Sequence, residues 1–129
     1  MKIIYQTASG VAIIHPTGEL SIEEVAAKDV PSGVPYRIVN DDEVPSDRAF
    51  RDALKYDLTV DMPKAVNITK DRLRVERAPL LTALDVQYQR AQEDGRDTTI
   101  IISEKQRLRD VTKLADKAAT LDELKALSA

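Results

Sequence analysis

DMPKAVNITKDRLRVERAPLLTALDVQYQRAQEDG, residues 61–95, decides the fold. Val66, Leu73 and Leu80 recur every seven residues in it, as do Leu81 with Tyr88 and Leu84 with Ala91. That spacing draws an apolar stripe down one side of a helix. Asp61 is placed to cap the helix, and Pro63 falls in the first turn, where its missing N–H does no harm. The pattern predicts a helix from Met62 to about Glu93. Pro79 lies inside it and removes one backbone hydrogen bond, at a cost of ~3 kcal/mol. A bend near residues 75–78, or a division into two helices, is therefore expected. Asp94-Gly95 is a stop, because Gly95 can take the left-handed conformation that ends helices.

Downstream, Asp97 can cap a second helix. Ile101, Leu108 and Ala115 repeat at seven, and so do Val111 and Ala118. Residues 98–102 are all β-branched and read equally as a strand. The charged stretch 103–110 carries on the helical period and favours helix for the whole segment. Thr120 and Glu123 have capping-box spacing ahead of Leu124 and Leu127. The second half is thus predicted to be an antiparallel helical hairpin with a short last helix.

Upstream the character changes. KIIYQT (2–7) and VAIIH (11–15) are β-rich and flank Ala8-Ser9-Gly10, which predicts a hairpin. Pro16 ends the second strand. Ser21 and Glu24 form a capping box, with Leu20 and Val25 spaced as its hydrophobic staple, for a helix over 20–29. Residues 34–39 read as a third strand and Asn40-Asp41-Asp42 as a turn. Ser46 is expected to cap a short helix that carries Phe50 and Leu54 on one face. Residues 58–60 are a brief extended stretch. The predicted fold class is α+β: a small N-terminal antiparallel sheet with short helices over residues 1–60, followed by a C-terminal helical hairpin over residues 61–129.

Composition narrows the function. The chain has 129 residues, one His, no Cys and no Trp. The absence of Cys excludes disulfides and thiolate metal sites. Residues 1–60 carry a net charge of −4 and residues 61–129 of +1. Neither half has the basic excess of a nucleic-acid binder. No signal-peptide pattern opens the chain, and no apolar run approaches the ~20 residues of a membrane span. A soluble protein that binds neither nucleic acid nor membrane is expected.

Chemistry-bearing residues are few. His15, at a strand end before Pro16, is read as a solvated or hydrogen-bonded structural residue; an enzyme would need it beside a carboxylate pair in an open polar cleft. Asp41, Asp42 and Glu43 lack EF-hand spacing and are read as a solvated turn. Lys70, Arg72, Arg74 and Arg77 alternate with Asp71 and Glu76, as Arg107, Arg109 and Lys113 do with Glu104 and Asp110, which suits salt-bridged faces. No glycine-rich phosphate loop or nucleophile elbow is present. No catalytic residue, cofactor or metal is expected. Two helices cannot bury both their stripes on each other, so a third layer is needed: the sheet, or a second copy of the chain. The expected contact residues are Leu73, Leu80, Leu84, Tyr88, Leu108 and Val111, with intramolecular core as the competing role.

Several segments also resemble known proteins. MKIIYQTASGVAIIHPT (1–17), GVPYRIV (33–39) and VPSDRAFRDAL (44–54) resemble small proteins of tailed bacteriophages and prophages. RLRVERAPLLTALD (72–85) and KQRLRDVT (105–112) are similar to the C-terminal part of phage tail assembly chaperone and tail-fibre assembly proteins. The resemblance implies a non-enzymatic accessory or structural protein, with a phage tail or tail-fibre protein as partner, found in the virion or the host cytoplasm. A homo-oligomer, a head-decoration or connector protein, and a small regulatory protein of the infected cell are the alternatives. It implies no catalytic residues.

Overall fold

A computed structural model describes residues 1–129. The chain is α+β and divides into two compact units, Met1–Lys64 and Ala65–Ala129. The division falls in the first turn of the long helix, four residues beyond the expected 60/61 boundary.

The first unit is built on a three-stranded antiparallel sheet of β1 (Lys2–Thr7), β2 (Gly10–Ile14) and β3 (Tyr36–Val39), in the order β2-β1-β3. Ala8-Ser9 makes the β1–β2 turn, and Thr7 pairs with Gly10. Gly10 has φ +149°, and a Cβ there would lie 3.5 Å from the Asp52 carbonyl oxygen. The apolar runs are consecutive because both sheet faces are covered. Ile3 packs with Val25, Ala26 and Val30 of α1 (Ile22–Asp29). Ile4, on the other face, packs with Val39 and Val44. The α1 capping box forms as expected: Ser21 Oγ accepts from Glu24 N, and Glu24 accepts from Ser21 N at 2.8 Å. Leu20, the expected staple, remains largely exposed.

The helix expected after Ser46 does not form. Only a single 3-10 turn, Arg51–Ala53, follows. Asp47 accepts from Ala49 N at 2.8 Å, a local turn that competes with a helix start. Leu54 instead bridges Val60, and Lys55 N donates to Thr59 O at 2.8 Å. Leu58, with φ +67°, turns the chain between them. Phe50 and Leu54 are buried, but they do not share a helix face.

In the second unit, α2 (Met62–Glu93) runs unbroken past Pro79, so the two-helix alternative is not realised. Asp61 Oδ1 accepts from Lys64 N at 3.3 Å at its start. Its end is a Schellman motif: Arg96 N donates to Ala91 O at 2.8 Å, Gly95 N to Gln92 O at 3.2 Å, and Gly95 has φ +67°. Residues 98–102 are not a strand: α3 covers Thr99–Asp110, with Asp97 accepting from Thr99 N at 3.0 Å. α4 (Lys113–Lys117) follows after a short turn, and α5 (Leu121–Ala126) is capped by Thr120. Glu123 closes on Ala119 N rather than on the cap residue itself.

Candidate protein-interaction site

The α2–α3 hairpin has two unlike flanks. Asp85 pairs with Lys105 (2.6 Å), Arg77 donates to the carbonyls of Leu108 and Arg109 (3.3 and 2.9 Å), and Lys70 pairs with Asp116 (2.7 Å). As one residue number rises the other falls, which fixes the two helices as antiparallel. These links close one flank, where Lys105 also lies 5.1 Å from the Tyr88 ring centre. The basic cluster on α2 is therefore spent largely on tying the hairpin together.

The other flank carries Arg72, Glu76, Leu80, Ala83 and Gln87, four and three residues apart along one stripe of α2. Its lower part is occupied by the C-terminal segment. Arg72 donates to Leu124 O at 3.1 Å, and Ala129 N donates to Glu76 at 3.2 Å. The bond from Arg72, followed by that from the Ala129 amide, holds the Glu76 carboxyl below its usual range. Leu73, Leu108, Val111 and Leu124 are fully buried in this part. The segment supplies the third layer that two helices lack.

Above Glu76 the surface between the helices is lined by α2, α3 and their connection. A groove continues between the helices as two hollows that share Gln87. One, of about 190 Å³, is lined by Leu80, Ala83, Leu84, Glu104 and Leu108. The other, of about 270 Å³, is lined by Arg90, Ala91, Arg96, Asp97 and Ile101. Around them the arm exposes large apolar side chains: Leu80 is 43% exposed, Ile100 82%, and Val86 and Ile102 about as exposed as Leu80. Residues 78–84 and 98–103 contain no charge at all. A helix that is apolar on every side is ordinarily a covered helix.

Of the six expected contact residues, Leu73, Leu108 and Val111 are core and are unavailable to a partner. Leu84 and Tyr88 are half-buried between the helices, and Leu80 stands at the groove rim. The heptad spacing selected the inward stripe, which is where core residues lie. Val86, Ile100 and Ile102, the most accessible apolar residues of the arm, lie off that stripe. The uncharged window 98–103 was the sequence signal that could have found Ile100 and Ile102; Val86, beside Asp85, had none.

A separate cleft of about 280 Å³ in the first unit holds His15, Glu19, Lys28 and Asp29. It meets the shape condition set for an enzyme. His15 hydrogen-bonds to neither carboxylate, and burial, then Lys2, Arg51 and Arg48, lowers its pKa from the ordinary value. A general base is normally oriented by such a bond. No group of three His, Asp or Glu side chains is placed to hold a metal ion. No helix is long and apolar enough to cross a membrane.

No protein-family profile, curated protein or solved structure matches the chain.

Proposed function

We propose that this chain is a non-enzymatic binding protein that works by presenting the uncharged arm of its hairpin to another protein. The observation that carries the proposal is the groove above Glu76, lined by Leu80, Ala83 and Leu84 and continued by Ala91 and Ile101, on an arm that also exposes Ile100 and Ile102. Laying an amphipathic helix into such a groove is a common mode of recognition. The sequence resemblance supplies the partner class, a tail or tail-fibre component of a phage, which the chain would accompany during assembly or join in the particle.

The test is co-purification of tail proteins with the tagged chain from phage-producing cells. Ile100→Asp with Ile102→Asp is the informative variant, because both side chains are exposed and their loss spares the core. The double variant is expected to keep its circular dichroism and lose the tail protein; unchanged capture by a folded variant overturns the proposal. Mass spectrometry of purified particles separates the rivals. Fixed stoichiometry on the head would favour a decoration or connector protein, and absence from particles an assembly or regulatory protein.

The His15 cleft supports a second reading, a small-molecule site in the first unit. Under it, His15→Ala would abolish function while leaving capture of the tail protein intact.

A further inference from the structure

We infer that the open flank of the hairpin is covered in the free protein by the same flank of a second copy, the two arms packed antiparallel about a two-fold axis near Gln87. This rests on reading the arm as a protein-binding surface and names its first occupant.

Length argues for this arrangement. Gln87 is the residue common to the two hollows and so marks the middle of the open groove. Gly95, where the arm turns, lies eight residues beyond it, about 12 Å along the axis at 1.5 Å per residue. Glu76, which accepts from Ala129 N of the C-terminal segment, lies eleven residues before it, about 16 Å. With the arms antiparallel, the turn of each copy stops just short of the other's C-terminal segment. With the arms running the same way, the two segments would meet at one height on facing surfaces and hold the arms apart.

Width and charge point the same way. The flank presents two helices side by side, about 20 Å across, and a single partner helix would leave half of it wet. The second copy brings two helices of matching length. Near the axis stand Ala83, Leu84, Gln87 and Ile100, so no like charges oppose one another there. Arg90 has no ion partner in its own chain, and the two-fold brings it to the height of Glu104 of the second copy, where it would share a carboxylate that Arg107 already holds. An overlap of about 25 Å by 20 Å covers roughly 500 Å² per copy, or 1,000 Å² in all, the low end for a specific interface. The dimer is therefore a dissociating one, and its arms come free for a tail partner.

Sedimentation velocity of the intact chain from about 1 to 300 µM is the test, a range that brackets weak protein association. A concentration-dependent monomer–dimer shift is expected. Ile100→Asp should raise the dissociation constant at least about tenfold, since the symmetric interface buries the new charge twice. Val75→Asp, an exposed position below the open groove, should leave it unchanged. Because the chain has no Cys, Gln87→Cys gives a single thiol, which should cross-link the dimer on mild oxidation. A monomer at every concentration overturns the inference, as does a dimer that survives Ile100→Asp or fails to cross-link through position 87. If Ile100→Asp gives a monomer that still captures the tail protein, the dimer stands and the functional reading of the arm fails.

Discussion

Replacing Leu73 and Leu80 separately with Ala tests whether the two ends of the hairpin differ as described. Both sit on α2, seven residues apart. Leu73 is fully buried where the C-terminal segment closes over the hairpin, whereas Leu80 is 43% exposed at the groove rim. At the buried site the lost transfer energy and the cavity left behind together cost about 3 kcal/mol or more. At the rim just over half the side chain is out of water and solvent fills the space vacated, so about 1 kcal/mol is expected. A unit of this size gains roughly 2.1 cal/mol/K of entropy per residue on unfolding. Over the residues of Ala65–Ala129 that is about 0.14 kcal/mol/K, so the expected losses in Tm are roughly 20 °C and 7 °C. Thermal melts followed by circular dichroism at 222 nm report mainly the second unit, which holds most of the helix. The protein must be dilute, below the dimer's dissociation constant. Equal losses in dilute solution would refute the claim that the flank is open above Glu76. A loss under about 1 kcal/mol at Leu73 would refute closure by the C-terminal segment.

Other consequences follow from single backbone and charge features. Gly95→Ala forces a side chain into the φ +67° position of the Schellman motif and should cost about 1–2 kcal/mol in urea denaturation, with Gly95→Asn milder. Pro79→Ala restores an N–H opposite the Val75 carbonyl in an unbroken helix and should stabilise the second unit by up to ~3 kcal/mol; a loss instead would show that the proline is needed where it stands. Acid should destabilise the chain. Glu76 through Arg72, Asp97 through Thr99, Glu104 through Arg107 and Asp110 through Gln106 all have folded-state pKa values below their ordinary ones. Their stabilisation is present above the unfolded carboxyl values near 4 and is lost as pH falls through the folded ones. His15 is also lowered, so its folded form resists protonation and a shallow loss of stability begins below about pH 6.5. His15→Asn should remove that first step in a Tm-against-pH series and leave the carboxyl step in place.

What was legible in the sequence was whatever local chemistry decides. The Ser21 capping box, the Asp94-Gly95 stop, the Thr120 cap and the two-helix period all appear where their residue types require. The helix expected after Ser46 failed because Leu54 found a distant partner in Val60, which no local spacing announces. The strand-like run Thr98–Ile102 became helix because the charged stretch after it continues the helical period, with Thr98 rather than Asp97 at the cap position. The candidate site was half legible. Heptad repeats mark the stripe two helices share, so they located Leu73, Leu108 and Val111, which are core. They could not mark Ile100 or Ile102, which lie off that stripe and are exposed.

In phage-producing cells, protein should cover the arm's uncharged belt. A photo-activatable cross-linker at position 100, with position 17 of the first unit as the exposed control, tests it most directly in phage-producing cells. Discrete products are expected from position 100, at twice the chain's mass or at the chain plus one tail protein, and none from position 17. Cross-linking at position 100 no greater than at position 17 would contradict it.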